Sequence, residues 1–330
     1  MNRTRPKISV VIPTFNRCDL LKDALDSLDG QTLPIDDFET IVVDDGSTDA
    51  TNEVCRSSGL SIPVRYIRQE NSGSSAAKNL GLFFSNAPLV FFFDDDDVAS
   101  ASMLEEHVKA HDRHPAERTA VLGFTDWHES LTLTPVMDYL VNVGQFMFSY
   151  PSIKEEDRLD WKNFWTGRIS CKRSMMVDLE IFSPTMKRLE DVELGYRLQR
   201  HGLVVRYWPR AVSFMKRPLT YQQFCSRIEN DGHSLRDFRA RHPDDEVVAY
   251  STPPMPEDTR SLDRDLEKIR AAVDQMESLL GDSWNSESNR PLLTGLHGLY
   301  RRGFLGHSFR GAIGLDAQDS PDVASDTDGT

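Results

Sequence analysis

Short apolar runs alternate with longer amphipathic segments through the first 125 residues of the chain. The runs, rich in Val, Ile and Phe, occupy residues 8–12, 38–43, 64–67, 89–93 and 119–124. Apolar residues at helical spacing lie between them, over residues 19–28, 49–57, 72–84 and 102–113. Strands and helices that alternate in this way predict βαβ units, a mostly parallel sheet and helices on both of its faces. The run 89–93 is apolar at every position, which predicts a central strand.

The pattern changes after residue 125. Residues 126–188 mix aromatic side chains with loop-forming residues. Helical spacing returns at 189–200, 221–241, 263–280 and 290–310, and a short strand is predicted at 204–207. Residues 251–257 have the composition of a linker, and residues 316–330 carry five acids and no base. The pattern therefore predicts three segments, namely 1–217, a helical region at 218–314 and an acidic, disordered tail at 315–330.

Charge and cysteine content exclude several classes of protein. The 330 residues carry 38 basic and 52 acidic side chains, and the resulting net charge of −14 argues against a nucleic-acid partner. The four cysteines lie far apart and form no Cys-x-x-Cys pair, so neither a zinc motif nor a disulfide framework is expected, and the expected location is cytoplasmic. No stretch reaches the roughly 18 apolar residues that a membrane span needs.

Polar residues follow three of the predicted strands. They form residues 13–16 after the first strand, 44–47 after the second and 94–97 after the fourth. Ligands of open α/β sheets bind beyond the carboxyl ends of the strands, so these segments are the candidate site. Neither a Gly-x-x-x-x-Gly-Lys-Ser/Thr motif nor a Gly-x-Gly-x-x-Gly motif after the first strand is present, which disfavours P-loop and dinucleotide sites.

Four consecutive aspartates, residues 94–97, end the fourth predicted strand. Like charges this close repel, so some of the carboxyl groups must be protonated or find a cation. Carboxylate oxygens suit a hard divalent cation, and we expect Mn²⁺ or Mg²⁺ to bridge the protein to a diphosphate. The alternative is an acidic turn in which Asp97 caps the next helix.

Two further acidic positions are ambiguous by themselves. Asp45 could accept a hydrogen bond from a base or ribose, or it could simply be a turn residue in the segment 44–49. Glu190 and Asp191 open the predicted helix 189–200. Taken alone, this pair is best explained as stabilising the helix N-terminus.

Five ordered motifs decide between these alternatives. They are residues 8–17 with 42–49 (ISVVIPTFNR and VVDDGSTD), 72–81 (SGSSAAKNLG), 92–97 (FFDDDD), 164–173 (FWTGRISCKR) and 189–198 with Gly202 (LEDVELGYRL). Together they resemble the family-2 glycosyltransferases over residues 7–215. The resemblance implies the GT-A fold, a Rossmann-like, mostly parallel α/β sheet flanked by helices, here followed by a helical C-terminal appendage. Residues 1–125 would form the nucleotide-binding half and 126–217 the acceptor half of the catalytic domain.

The resemblance also implies roles for individual residues. Asp45 would face the nucleobase, Asp95 the ribose and Asp96 the metal, and Asp191 would be the general base beside Glu190. The other residues expected to bind the nucleotide-sugar are Pro13, Thr14, Phe15, Asn16, Lys78 and Asp94. Trp165, Gly167 and Arg168 are expected on the acceptor side.

The implied reaction is inverting transfer of a sugar from a nucleotide-diphospho-sugar, expected to be UDP-linked, to a hydroxyl acceptor. A saccharide acceptor and a role in polysaccharide or surface-glycan synthesis are expected. Two alternatives stay open, a nucleotidyltransferase and a non-catalytic sugar-nucleotide-binding scaffold. The first needs a Gly-rich, basic loop that residues 13–19 lack, and retention of the aspartates with Asp191 argues against the second.

Several positions depart from the family pattern or lie outside it. Met215, or a neighbour, stands where many relatives carry a histidine, and a thioether is a poor ligand for Mn²⁺ or Mg²⁺. Arg168 replaces the usual asparagine, which indicates either an anionic acceptor or a solvated surface side chain. The histidines at 107, 111, 114 and 128 are expected to lie on the exposed face of a helix rather than to bind a metal. Trp161 and Trp165, four residues apart, are expected to pack rather than stack on a sugar.

The segment 290–310 is basic and amphipathic, with eight large apolar residues and no acid. It is compatible with peripheral contact at an anionic membrane surface, which would place the protein at the inner face of the membrane. Docking on the catalytic domain or in a homodimer is the favoured alternative, because a few arginines attract lipid only weakly.

Overall fold

The computed structural model describes residues 5–56, 59–254 and 259–314. The strands are β1 (Ile8–Thr14), β2 (Phe38–Asp44), β3 (Val64–Arg68), β4 (Leu89–Phe93), β5 (Asp97–Ala99), β6 (Thr119–Trp127), β7 (Arg158–Leu159), β8 (Arg168–Lys172) and β9 (Val204–Met215). The α-helices are α1 (Cys18–Asp29), α2 (Thr51–Cys55), α3 (Ser74–Phe84), α4 (Met103–Arg113), α5 (Pro135–Asp138), α6 (Arg173–Leu179), α7 (Glu190–Gln199), α8 (Tyr221–Arg241), α9 (Asp245–Ser251), α10 (Leu262–Leu280) and α11 (Arg290–Ile313). The predicted tail 315–330 and part of the predicted linker lie outside the described residues.

The strands form one sheet in the order β3-β2-β1-β4-β8-β6-β9-β5, and β7 pairs with β9. The strands β3, β2, β1 and β4 pair in parallel, as the βαβ pattern predicts. β8 is antiparallel to both β4 and β6, so the second half of the sheet is mixed. The predicted α/β class is confirmed.

The apolar runs form the core of this sheet. All residues of β1 and β4 are buried. Because both faces of β4 are covered, its sequence is apolar at every position instead of alternating between apolar and polar residues. α3 packs closely on β1, because a Cβ at Gly81 would lie 2.2 Å from a methyl group of Val11. The parallel register places Thr14 beside Asp44, and β4 lies along the other side of β1. The polar segments 13–16, 44–47 and 94–97 therefore share one edge of the sheet.

β9 is longer than the predicted strand 204–207. It continues to Met215 because it pairs in parallel with β6 on both sides of a register shift between Leu122 and Phe124. At the shift, Gly123 lies against the backbone of β9, and a Cβ there would be 2.5 Å from the carbonyl oxygen of Ala211. Pairing to a distant strand extends β9, and no local pattern predicts that.

Two compact units divide the described chain, residues 5–131 with 153–217, and residues 132–152 with 218–314. In the second unit α8 packs on α11, and α11 packs on α10. The rings of Tyr221, Tyr300 and Phe304 stack with centroids 5.3 to 6.0 Å apart. Residues 132–152 belong to this helical unit, whereas the sequence analysis places them in the 126–217 segment. Within the described residues, no helix combines the length and hydropathy that crossing a bilayer requires.

Candidate active site

Two of the four aspartates at the end of β4 are buried and two are partly open to solvent. Asp95 is buried, where its Oδ2 accepts a hydrogen bond from Thr14 Oγ1 (2.8 Å) and its Oδ1 one from Arg17 Nη1 (3.1 Å). Burial raises the pKa of Asp95 to about 6, although the charge of Arg17 acts in the opposite direction. Thr14 thus contacts the aspartate run directly, and Asp95 is held by the loop after β1.

Asp97 is completely buried and does not cap the next helix. The alternative interpretation of the aspartates, an acidic turn in which Asp97 is a helix cap, is therefore wrong. One carboxylate oxygen accepts a hydrogen bond from Arg168 Nη2 (3.2 Å) and the other from Ser213 Oγ (3.0 Å). Burial, opposed by the charge of Arg168, raises the pKa of Asp97 to about 8. α4 instead begins after Ser102.

Arg168 is buried in β8 and is not a solvated surface side chain. Besides Asp97, it binds Asp94 through Nη1 at 2.9 Å. Its guanidinium is therefore engaged by two carboxylates, so the asparagine replacement is explained by charge balance at the aspartate run. Gly167, before it, has φ +91°, and a Cβ there would lie 2.1 Å from Asp94 Oδ2. Gly167 is required by close packing on the acid cluster.

Three carboxylates of the aspartate run could hold a divalent cation. Asp94, Asp96 and Asp97 each offer one carboxylate oxygen within 4.8 Å of the others, a donor set that suits Mn²⁺ or Mg²⁺. All three carboxylates have arginine partners, but Asp97 is buried whereas Asp94 and Asp96 are partly open to solvent, so these two are the ones an ion could reach. Asp96 also lies 3.1 Å from Arg217 Nε, a contact that sequence reasoning missed.

The loop after β2 is organised around Asp45. Its carboxylate accepts hydrogen bonds from Gln69 Nε2 (2.7 Å), the Ser72 backbone N–H (2.8 Å) and the Gly73 backbone N–H (2.8 Å). Asp45 thereby fixes the turn that leads into α3. A polar cavity of about 380 Å³ lies at the same strand ends and is lined by Asp44, Ser47, Asp49, Asn52, Arg56, Tyr66 and Arg68.

The loop after β1 lies against that turn. Pro13 is buried and Phe15 is partly buried, while Asn16 is exposed with φ 52°. Asn16 donates its backbone N–H to Ser47 Oγ (2.9 Å) and accepts one from Thr48 N at its side-chain oxygen (2.8 Å). The two segments predicted to bind the nucleotide are thus joined by direct hydrogen bonds.

A second cluster of charged side chains surrounds the start of α7. Lys78 Nζ, buried on α3, donates to Glu190 Oε1 (2.6 Å) and to Thr166 Oγ1 (2.8 Å). Burial acts to lower the pKa of Lys78, but the charges of Glu190 and Asp191 outweigh it and raise the pKa. In Glu190, burial acts to raise the pKa, and the charge of Lys78 outweighs it. Lys78 and Glu190 therefore form a buried ion pair, and Glu190 is not a free helix-capping acid.

Asp191, next to this pair, keeps partial access to solvent. Its Oδ2 accepts the backbone N–H of Thr166 (3.0 Å), and its Oδ1 accepts the backbone N–H of Val192 (2.7 Å). Removal from water, followed by the negative charge of Glu190, raises the pKa of Asp191 to about 6. A carboxylate with this pKa is charged at neutral pH and accepts a proton more readily than an ordinary aspartate.

The remaining predicted residues have mainly packing contacts. Trp161 is fully buried and meets Tyr196 edge to face, and Trp165 is partly buried with its Nε1 on the carbonyl oxygen of Lys162 (2.6 Å). Met215 is buried at the end of β9. The residue after it, Lys216, donates its backbone N–H to the carbonyl oxygen of Asp96 (2.8 Å).

The histidines of α4 are not on an exposed face, which corrects the expectation for two of them. His107 and His111 are buried, and both lie 2.9 Å from the hydroxyl of Ser170 on β8. Burial lowers the pKa of His107 to about 3 and also lowers that of His111. These neutral rings are part of the packing between α4 and the sheet.

Solved structures confirm the GT-A fold of this chain. A Pyrobaculum calidifontis mannosyltransferase, PcManGT, determined with GDP-Man and Mn²⁺, aligns with a TM-score of 0.61 and 17% identity over 95% of this chain and 89% of its own. Staphylococcus aureus TarS 1–349 with UDP aligns with a TM-score of 0.54 and 18% identity, over 94% of this chain and 91% of its own.

The family follows from the sequence. The family described as "Glycosyl transferase family 2" matches residues 9–177, about half of the chain, and the chain belongs to it. The validoxylamine A glucosyltransferase of Streptomyces hygroscopicus subsp. jinggangensis is 33% identical over 222 residues, 60% of this chain and 52% of its own. The uncharacterized glycosyltransferase YfnE of Bacillus subtilis is 25% identical over 310 residues, 80% of this chain and 78% of its own. The chain spans about half the length of the first two relatives, 52% and 49%.

Proposed function

We propose that this chain catalyses inverting transfer of a sugar from a nucleotide-diphospho-sugar, UDP-linked, to the hydroxyl group of a saccharide acceptor. The observation that carries the proposal is the pairing of a partly open carboxylate of raised pKa, Asp191, with an aspartate run at the sheet edge. One short segment links them, since the Thr166 N–H binds Asp191 and Arg168 binds Asp94. This short connection between Asp191 and the aspartate run supports a base that acts beside the donor site.

Asp191 is the general base in this proposal. An acceptor hydroxyl within hydrogen-bond reach passes its proton to the carboxylate as the oxygen attacks the anomeric carbon. The bond between that carbon and the diphosphate oxygen breaks at the same time, and the electron pair leaves with the diphosphate. One base and one displacement invert the anomeric centre without a covalent intermediate.

The aspartate run and its arginines hold the donor. Asp94 and Asp96 would hold Mn²⁺ or Mg²⁺, which supplies positive charge for the leaving diphosphate when it is bound. Two arginines add further positive charge to the aspartate run. Arg217 pairs with Asp96, and Arg17 pairs with Asp95. Pro13, Phe15 and Asp45, at the neighbouring strand ends, are suited to the nucleobase. Charged groups fixed in advance stabilise developing charge because they need not reorganise during the reaction.

The relatives narrow the donors to test. One relative is named a glucosyltransferase, and the fold neighbours are described with UDP, UDP-GlcNAc and GDP-Man. The first panel is therefore UDP-glucose, UDP-GlcNAc and GDP-mannose. Validoxylamine A is the first acceptor to try, because a relative carries that acceptor in its name.

Release of nucleotide from each donor, measured with Mn²⁺, Mg²⁺ or EDTA and with and without acceptor, tests the proposal. We expect one donor to be used in a metal-dependent way. Asp96→Ala should lose this release, and Asp191→Asn should lose about 100-fold or more in transfer while it still binds nucleotide. Full turnover by Asp191→Asn would remove Asp191 as the base. Nucleotide binding without transfer to any acceptor would favour the scaffold alternative.

A further inference from the structure

Thr166 makes two hydrogen bonds to the proposed base, Asp191, and the sequence motifs give no indication of these contacts. It lies in the loop before β8 and is buried. Its backbone N–H and its hydroxyl both reach Asp191 Oδ2, at 3.0 and 3.2 Å. The same hydroxyl lies 2.8 Å from Lys78 Nζ. Thr166 therefore stands between a buried cation and the carboxylate.

The direction of these hydrogen bonds follows from the chemistry of the groups. An ammonium group only donates, so the Thr166 oxygen must accept from Lys78. The single hydroxyl hydrogen is then left for Asp191, which as a carboxylate only accepts. The other oxygen, Oδ1, accepts the backbone N–H of Val192 at 2.7 Å. Both carboxylate oxygens are held, and Oδ1, which accepts only one hydrogen bond, keeps a lone pair for a substrate hydroxyl.

The charges around Asp191 come from several elements. Lys78 on α3 and Glu190 on α7 are the nearest, and their opposite charges act against each other on Asp191. Beyond this pair, Arg188 acts on Glu190 and Asp94 acts on Lys78. Arg168 Nη1 also lies 3.4 Å from the Thr166 carbonyl oxygen. A hydrogen bond made only to the charged form of Asp191 favours that form, so its removal should raise the pKa of Asp191.

We infer that Thr166 is a positioning residue for Asp191: its hydroxyl, oriented by Lys78, fixes the carboxylate for proton abstraction and favours its charged form. This inference rests on the proposed function of Asp191 as the base. It assigns Lys78 to the same task, through Thr166, instead of to the nucleotide.

The test compares Thr166→Val, which removes the hydroxyl at nearly constant size, with Thr166→Ser, which keeps it. We expect Thr166→Val to lose about tenfold in kcat at neutral pH, the effect of one hydrogen bond to a charged group. The acidic limb of its kcat–pH profile should move upward by about one unit, because the charged form loses a donor. The dissociation constant for the donor nucleotide should stay unchanged. Thr166→Ser should restore both kcat and the profile.

Thr125→Val is the matched control. Thr125 is fully buried on β6 and its hydroxyl has no hydrogen-bond partner among the described residues, so the same exchange there should leave kcat and the pH profile unchanged. An unshifted acidic limb in Thr166→Val overturns the inference, as does a shift of equal size in Thr125→Val. If Thr166→Val fails to bind nucleotide, Thr166→Ala removes the same hydroxyl with a smaller side chain and gives the same comparison. Activity that survives in Asp191→Asn overturns the proposed base itself, whatever the Thr166 variants do.

Discussion

Three arginines balance the charge that four consecutive aspartates place at the end of β4. Arg17, Arg168 and Arg217 contact all four carboxylates between them, at 2.9 to 3.7 Å. These arginines come from the loop after β1, from β8 and from the segment after β9. The sequence shows that the aspartates need cations. It cannot show which cations are near, because all three arginines are distant in the chain.

The pH dependence of catalysis tests the protonation of Asp191. Its pKa is raised to about 6, so the charged, proton-accepting form is lost as the pH falls through that value. We expect kcat/KM to be constant above about pH 7 and to fall tenfold per unit below about pH 6. Steady-state rates across this range measure the limb. Activity that stays constant down to about pH 4.5 would contradict the raised pKa.

Close packing at Gly167 predicts a local defect when a methyl group is added. Gly167→Ala would place Cβ 2.1 Å from Asp94 Oδ2 at a φ of +91°, so we expect loss of metal-dependent turnover and about 1–3 kcal/mol of stability. Gly73→Ala is the control, because Gly73 has a φ of +87° but no atom within 4 Å of the added carbon. Denaturation and turnover of both variants separate backbone strain from contact with Asp94. Equal turnover in the two variants would contradict the role of Gly167.

At the scale of elements, periodicity predicts where helices occur more reliably than which face is buried. α4 lies where the helix 102–113 is predicted, yet His107 and His111 point inward to Ser170. A histidine is compatible with either face, and only the hydroxyl supplied by β8 makes burial favourable. Burial of a neutral ring avoids the cost of burying a charge.

The burial of the neutral His107 ring predicts that the protein loses stability in mild acid. Its folded-state pKa of about 3 lies below the ordinary value, so stability is complete above about pH 6.5 and falls as the pH drops towards 3. The contribution is up to about 1.4 kcal/mol per pH unit. Urea unfolding at pH 7 and pH 5 measures this loss. The free energy of unfolding should fall less from pH 7 to pH 5 in His107→Gln than in the wild type. His201→Gln, at a half-exposed position, should not reduce that loss.

The contact between α8 and α11 in the helical unit depends on glycine. A Cβ at Gly311 would lie 2.0 Å from the carbonyl oxygen of Glu229 in α8, so Gly311→Ala should cost about 1–3 kcal/mol. Gly298, on the same helix, has no atom within 4 Å of its added carbon. Gly298→Ala should therefore stabilise the protein by up to about 1 kcal/mol through helix propensity. Thermal melting of the full chain measures both, and destabilisation by Gly298→Ala would contradict this assignment.

At the scale of the whole molecule, the basic segment 290–310 keeps its apolar face inside the helical unit. Leu296, Tyr300 and Phe304 are fully buried, and Phe309 packs with Leu262 and Leu266 of α10. Arg301 and Arg302 are exposed. Amphipathic pattern alone does not distinguish a helix that contacts lipid from one that contacts its own chain, since both need one apolar face.

Vesicle binding tests the membrane hypothesis for this segment. Because Leu296, Tyr300, Phe304 and Phe309 are buried and Leu292 is the exposed one, we expect no sedimentation with phosphatidylserine-containing vesicles at physiological salt. The double variant Arg301→Glu with Arg302→Glu serves as the comparison and should behave in the same way. Sedimentation of the wild type that this variant abolishes would support peripheral contact through residues 290–310.

The sequence by itself determines the α/β class, the positions of β1, β2, β3, β4 and β6 along the chain, and the family. These follow from hydrophobic period, strand-end polarity and ordered motifs, all of which are local. It also predicts the segments 13–16, 44–47 and 94–97 as one edge, because carboxyl ends of parallel strands meet. The roles of individual residues at that edge stay proposals for the experiments above.

Only the tertiary structure decides how charge is distributed at the site. Arg168 looks like a loop cation in the sequence and lies buried between two aspartates in the fold. Thr166 lies in the motif 164–173 but receives no role from the sequence, yet in the fold it joins Lys78 to Asp191. The full length of β9 likewise depends on its pairing with β6. Each of these depends on contacts between residues far apart in the chain, and hydrogen bonds and ion pairs of that kind leave no period in the sequence.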